Sequence, residues 1–267
     1  MAEPLIRVRD LHLSLPDMTR KPLLGAAPRI EILKGISFDV ARGEVLGIVG
    51  GSGSGKSTLG RAMLRLLEPT GGTVRFDGAD ISHLPEAALR PLRRRMQMIF
   101  QDPMSSLNPR HRVGGIVAGP LRLHGFDGVD AKVDAALEQV GLPRAMRHRF
   151  PHELSGGQRQ RVGIARAIAL RPDFILCDEI VSGLDVSSQA TVLNLLESLV
   201  RGLGLTLAFI SHDLSVVRRL CGRIVVLHQG VIVEQAASAD LFAAPKAAYT
   251  RELLAAILLP DVDQVWG

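Results

Sequence analysis

Apolar residues recur along this chain with two periods, and the switches between them mark out its elements. Residues 5–15 roughly alternate apolar with polar, and Ile36-Ser37-Phe38-Asp39-Val40 alternates clearly, as strands with one wet face do. Residues 72–78 read as a third such strand, placed at an edge, and together the three predict an antiparallel flap. Between the first two, residues 16–29 carry three prolines and a glycine and read as a surface loop. Other runs are apolar without alternation. Val45-Leu46-Gly47-Ile48-Val49, Phe174-Ile175-Leu176-Cys177 and residues 205–210 have the composition of strands buried on both faces, and Met96-Gln97-Met98-Ile99-Phe100 reads as a further strand. Helical spacing follows each buried run. Leu59, Ala62, Met63, Leu66 and Leu67 share one face up to Pro69. Val162, Ala165, Ile168 and Ala169 share another up to Pro172, and Val192, Leu195, Leu196, Leu199 and Leu203 line a helix over 188–203. Residues 112–150 are helical in pattern but broken at Gly125, Gly128 and Gly141, which predicts a small helical subdomain inserted into the core. Residues 223–227 and 231–234 form a predicted hairpin about Gln229-Gly230. The tail from Ser238 is amphipathic, with Tyr249, Leu253 and Ile257 on one face. Strands alternating with helices predict an α/β fold, a mostly parallel sheet covered on both sides.

Composition narrows this picture only a little. At 267 residues the chain holds one large or two small domains, and 46% apolar content is that of a globular protein. Aromatics at 4% argue against a stacking platform for single-stranded nucleic acid. The formal charge of +5 suits nucleotides, nucleic acid or an anionic membrane face without choosing among them. The arginine-rich segment 84–95 reads as a solvated helix face in preference to a nucleic-acid patch. Cys177 and Cys221 match no metal spacing and no disulfide framework, and Cys177 inside its apolar run reads as a buried thiol. His148 and His152 are four apart, but Pro151 breaks the helix that would align them. The opening MAEPLIRVRD lacks a hydrophobic signal core, and no apolar run reaches the roughly 18–20 residues of a membrane helix. The expectation is a cytoplasmic chain whose membrane role, if any, comes through a partner.

Chemistry enters at Gly50-Gly51-Ser52-Gly53-Ser54-Gly55-Lys56-Ser57-Thr58, which fits G-x-x-x-x-G-K-[ST], the Walker A phosphate loop. Its glycines let backbone N–H groups turn inward as an anion nest, and the following helix adds its positive N-terminus. Lys56 supplies a point charge for the β- and γ-phosphates, and Ser57 a hydroxyl for Mg²⁺. Asp178-Glu179, at the end of a buried strand, supplies the acids such a site needs, one for the metal and one to orient or deprotonate water. His212 sits at the C-terminal end of another strand, where open α/β sheets bind ligands, and is placed to sense a γ-phosphate. Ser155 and Gln158 have capping-box spacing, so a glycine-rich helix start with free N–H donors is predicted there.

Leu154-Ser155-Gly156-Gly157-Gln158-Arg159-Gln160-Arg161, lying between the two nucleotide motifs, resembles the signature of ATP-binding-cassette (ABC) ATPases. The stretches FQDPMSSLNPR (100–110), PHELSGGQRQR (151–161), DVSSQA (185–190) and AYTRELLAAI (248–257) resemble the ATPase subunits of oligopeptide, dipeptide and nickel importers, and the likeness spans nearly the whole chain. It implies a cassette over 1–235 with a helical subdomain at about 102–170, and a C-terminal extension over 236–267. It implies that Gln101 links metal and helical subdomain, that Glu179 is the general base and that His212 is the switch histidine. Ser155, Gly156, Gly157 and Gln158 would close on ATP held by an opposing subunit, and Asp185 would face that subunit's phosphate loop. The implied cofactors are ATP and Mg²⁺, the latter held by Ser57, Gln101 and Asp178. The implied partners are a second ATPase subunit, identical or homologous, two membrane permease subunits and an extracytoplasmic solute-binding protein, with the chain on the cytoplasmic face of the inner membrane and no nucleic acid. Peptides are the default cargo, with nickel next. The rival expectations are an ABC ATPase acting on nucleic acid through the arginines at 90–95, and an accessory cassette in a soluble enzyme complex. Four positions depart from the family pattern. Leu15 stands where an aromatic stacks on adenine, which implies relaxed base selectivity. Gly51 replaces a common acid, Ile180 a common proline and Gly183 a common alanine.

Overall fold

A computed structural model describes residues 3–21, 25–102 and 106–256. Its centre is a six-stranded sheet. In sheet order it holds β10 (Val231–Ala237), β9 (Arg223–His228), β3 (Val45–Val49), β8 (Thr206–Ile210), β7 (Phe174–Asp178) and β6 (Met96–Ile99). Every neighbouring pair is parallel except β10 with β9. The continuous apolar runs are explained by two cores, one on each face. Ile175, Cys177, Leu207, Phe209, Ile224 and Val226 point into one, and Leu176, Ala208, Ile210, Val225 and Leu227 into the other. Alternate residues of a strand face opposite ways, so a strand covered twice must be apolar throughout. Cys177 and Cys221 are buried and unpaired, and burial pushes both thiols well above their ordinary range, which keeps them protonated.

The second core lies under the flap, a four-stranded antiparallel sheet in the order β2 (Arg29–Val40), β1 (Ile6–Pro16), β4 (Gly71–Phe76), β5 (Ala79–Asp80). Two expectations shift here. The strand after the first helix is internal to the flap rather than at its edge, because the two residues of β5 pair outside it. The second flap strand begins at Arg29, well before the alternation becomes clear at Ile36. A glycine at φ +74, Gly35, interrupts it, and the register with β1 slips nearby.

Helix α1 (Lys56–Met63) buries Leu59, Ala62 and Met63 against the sheet. It ends at Met63 rather than running to Pro69, and Leu66 is left exposed. Arg65 explains the early stop. Its backbone is left-handed at φ 53, and its buried guanidinium donates to the carbonyls of Ile81 at 2.7 Å and Leu84 at 3.3 Å. Those tertiary bonds hold the chain out of the helix that its local pattern favours. Helix α2 (Glu86–Arg93) carries most of the arginine-rich segment; Arg90 is exposed, and the other three arginines of the segment make contacts within the fold. Arg93 pairs with Glu86 at 2.7 Å, Arg95 bridges Asp77 and Asp173, and Arg94 lies over the Phe126 ring.

The inserted helices are α3 (Val113–Leu123), α4 (Val129–Gln139) and α5 (Gly156–Ile168), and they pack on the same core as α6 (Val186–Leu203). Gly125, Gly128 and Gly141 all have left-handed backbones, which accounts for the breaks. Helix α6 starts two residues ahead of the expected 188. Helix α7 (Leu214–Leu220) leads into the hairpin, whose turn residues Gln229 and Gly230 have φ of 48° and 84°, as a two-residue turn between twisted strands requires. The expected boundary at 235/236 falls inside β10, which runs to Ala237. Two short helices follow, α8 (Ser238–Ala243) and α9 (Ala248–Ala255), separated about Pro245. Ile257 lies outside the described residues. Among those residues, no helix is long and apolar enough to cross a membrane.

Candidate nucleotide site

The phosphate loop leaves β3 at Gly50, where only glycine fits. Its φ is 153°, and a Cβ there would collide with the Leu227 carbonyl on the neighbouring strand. Gly53 and Gly55 are also in positive φ, and Gly55 serves as the N-cap of α1 without a side chain, so the helix's first N–H groups face open space. The Lys56 ammonium folds back over the loop and donates to the carbonyls of Gly50 at 2.8 Å and Gly51 at 2.9 Å. Burial pulls the Lys56 pKa down, opposed by the nearby charges of Glu179 and Asp178.

Three strand ends then converge on that loop. From β7, Asp178 accepts a hydrogen bond from the Ser57 hydroxyl at 2.9 Å. Burial raises its pKa, and the Glu179 charge adds to this, against the Ser57 bond and the charges of Arg61 and Lys56. Glu179 follows in a left-handed conformation, φ 49°, that a side chain rarely adopts. The surroundings impose it. Its N–H donates to the Ile210 carbonyl at 2.9 Å, and its own carbonyl accepts from the Ser182 hydroxyl at 2.7 Å. The Glu179 carboxylate is thereby turned into the cleft. One oxygen accepts from Gln101 Nε2 at 3.0 Å, and the other lies 3.4 Å from His212 Nδ1. Gln101 comes from the end of β6 and His212 from the end of β8, so each buried strand contributes at its C-terminal end.

The result is a cleft of about 600 Å³ lined by Ser52, Gly53, Lys56, Ser57, Thr58, Glu179 and His212, with Ile32 of the flap closing one wall. Ile32 was not foreseen, since its strand lacks alternation at that point. Leu15 is absent from the lining and packs half-buried on the flap core, in register with Ile30. A hydroxyl and a carboxylate oxygen brought together at Ser57 and Asp178 are hard donors of the kind Mg²⁺ takes, so the residues present fit that metal.

The predicted signature residues sit elsewhere. Ser155 and Gln158 form the expected capping box: the serine Oγ accepts the Gln158 N–H at 3.2 Å, and the glutamine Oε1 accepts the Ser155 N–H at 3.0 Å. Helix α5 opens on a separate hollow shared with the N-terminus of α6 through Ser187 and Ser188. Gly157 is needed for that approach, since a Cβ there would come within 2.9 Å of the Ser188 hydroxyl. Asp185 caps α6, accepting from the Ser188 N–H at 2.9 Å and its hydroxyl at 2.7 Å, and these bonds hold its carboxyl below its ordinary pKa. Gly183 has φ 77°, a backbone that an alanine would strain. Within one chain, then, Gly50–Thr58, Gln101, Asp178, Glu179 and His212 form one site, while Ser155–Gln158 and Asp185 form another.

A triphosphate nest at a helix N-terminus, joined to a buried Asp and a carboxylate held by Gln and His, defines a P-loop ATPase. Comparison with known proteins narrows the class. The ABC transporter family profile matches residues 33–182. A protein of Brucella ovis with the provisional name peptide import ATP-binding protein is 52% identical over 259 residues, covering 92% of this chain and 82% of its own. The glutathione import ATP-binding protein GsiA of Shigella flexneri is 48% identical over 96% of this chain, which spans 41% of GsiA. Among solved structures, the ATP-binding cassette MJ0796, a dimer in a post-hydrolysis state bound to ADP and Pi, superposes with a TM-score of 0.76 at 28% identity, over 87% of this chain and 98% of that one. CbiO1 of Clostridium perfringens, part of the transporter complex cbiONQ, gives 0.78 at 28% identity, over 91% and 92%. The chain belongs to the ABC transporter ATP-binding proteins, and it is an ATPase with their cassette fold.

Proposed function

We propose that the chain is the ATP-hydrolysing subunit of a peptide importer and works as one half of a dimer. The observation that carries this is the separation of the two anion sites. The donors at Ser155–Gln158 open on their own hollow rather than on the phosphate loop of the same chain, so they serve only a nucleotide brought by a second subunit, identical or homologous. Asp185 then faces that subunit's loop. Lys56 and the loop amides hold the β- and γ-phosphates, Glu179 positions the attacking water, and His212 and Gln101 hold the Glu179 carboxylate in place. Ser57 and Asp178, with Gln101 nearby, would hold Mg²⁺, which neutralises charge on the phosphates. Closure around two ATP molecules moves the helical subdomain over about 102–170, and with it two permease subunits, so the chain works at the cytoplasmic face of the cell membrane. A solute-binding protein outside delivers the cargo. Names of relatives favour peptides, glutathione among them, over nickel.

The test is uptake. Vesicles carrying the permease subunits that the chain pairs with should accumulate labelled di- or oligopeptide only when ATP and the chain are supplied together. Peptide-independent behaviour, or recovery of the chain with RNA instead of permease, would overturn the reading. Of the arginine run, Arg93 and Arg95 are tied into the fold by ion pairs, which leaves Arg90 and Arg94 as its exposed members. Base recognition gives a second expectation. With the apolar Ile32 on the flap side of the cleft, a side chain that offers no hydrogen bond to read a base edge, GTP should compete for ATP binding within roughly tenfold of ATP itself. A GTP affinity a thousandfold weaker would show a base pocket that Ile32 does not explain.

A further inference from the structure

The phosphate loop touches one residue far along the chain that the hydrolysis chemistry leaves without a task. On α9, the Tyr249 phenol oxygen accepts the Gly51 N–H at 2.8 Å. The same peptide unit is held from its other side, where the Gly50 carbonyl accepts from the Lys56 ammonium at 2.8 Å. The peptide joining Gly50 to Gly51 is therefore pinned at both its polar ends. Two consecutive glycines have the greatest backbone freedom available, and a rotation of this peptide would carry away the carbonyl that orients Lys56.

Tyr249 is itself well placed. Its ring lies 3.8 Å from the His228 ring at the end of β9, tilted by 34°. Glu234, on β10, accepts the N–H groups of Lys246 and Ala247, each at 2.9 Å, just ahead of α9. Burial would raise the Glu234 pKa, but the Thr250 hydroxyl, these two amides and the Lys246 charge outweigh it and keep the carboxylate ionised. The hairpin turn reaches the same loop, since Gly230 N–H donates to the Ser54 carbonyl at 3.1 Å. A Cβ at position 51 would come within 2.9 Å of the phenol oxygen, so glycine leaves room for the bond. The C-terminal hairpin and helix thus brace the phosphate loop at its first peptide and at its middle.

We propose that Tyr249 is a positioning residue for nucleotide binding, holding the Gly50–Gly51 peptide so that Lys56 and the loop amides are preset for the phosphates. It rests on the ATPase reaction of that loop and touches none of the reacting atoms. Acting through Gly51, the hydroxyl sets affinity and leaves the hydrolytic step to Glu179.

Tyr249→Phe removes one oxygen and keeps the ring against His228. In the full chain, calorimetric titration should show ATP and ADP binding weakened by a similar factor, about three- to tenfold, as for one lost hydrogen bond. KM for ATP should rise by the same factor with kcat within twofold of the parent. Tyr249→Ala should weaken both nucleotides at least as much and also lower the melting temperature, which separates the hydroxyl's role from the ring's packing. Unchanged affinity in Tyr249→Phe, or a fall in kcat at constant KM, would overturn the inference and leave the ATPase assignment standing. A parent chain that binds neither nucleotide would remove both.

Discussion

Glu179→Gln should abolish turnover while leaving ATP bound. Glutamine keeps the volume of the side chain but loses the negative charge that draws a proton from water, and general-base contributions of this kind run to about 10²–10⁴ in rate. The geometry supports a clean loss. Gln101 and His212 already hold the two carboxylate oxygens, at 3.0 and 3.4 Å, so the amide has a place to sit without disturbing the loop. Glu179 makes no bond to Lys56 or Ser57 among the described contacts, so phosphate binding is untouched. The expected result in a phosphate-release assay is a fall of at least about a hundredfold in kcat. ATP affinity should stay within about threefold of the parent, and an ATP-bound dimer should accumulate on a sizing column. Activity retained within tenfold would mean that another group orients the water.

Lys56→Ala should instead remove binding. Lys56 is 7% exposed, its ammonium bridges the carbonyls of Gly50 and Gly51, and in the proposed site it would also bring a positive charge beside the phosphates. Hydrogen bonds to charged groups contribute about 1.5–3 kcal/mol each, so ATP affinity should drop roughly a hundredfold by calorimetry. Removal of the charge also takes from the adjacent carboxylates of Asp178 and Glu179 a positive group to which both couple. Lys56→Arg should not restore binding, because a planar fork cannot bridge two carbonyls of so tight a turn in the way a compact ammonium does. An alanine variant that binds ATP as the parent does would show that the loop amides alone hold the phosphates.

Much of this site was legible before any coordinates because its signals are local. The capping box needs only Ser155 and Gln158 three apart, and it forms as the spacing predicts. The acids Asp178-Glu179 follow a run that is apolar because two cores cover it, and the phosphate loop announces itself by glycines whose backbones other residues rarely adopt. The misplaced elements were those decided at a distance. Helix α1 stops at Met63 because the Arg65 guanidinium finds carbonyls at Ile81 and Leu84, partners that the periodicity of residues 59–67 does not contain. The flap strand reaches back to Arg29, past the Gly35 irregularity, because β1 pairs with it, although its own alternation is weak there.

The sequence by itself determined that a phosphate loop forms at residues 50–58, that a pair of acids ends a buried strand, and that a second glycine-rich helix start exists. Each of these rests on backbone conformations or spacings within a few residues, which the amino acids themselves dictate. Only the tertiary structure decided which of these groups meet. It set the Glu179 carboxylate between Gln101 and His212, placed Ile32 on the cleft wall, and kept Ser155–Gln158 in a hollow of their own. It also brought Tyr249 to Gly51, 198 residues away along the chain. Such meetings follow from how strands order themselves in the sheet and where helices dock upon it. That is a property of packing many segments at once, which no single stretch of residues encodes.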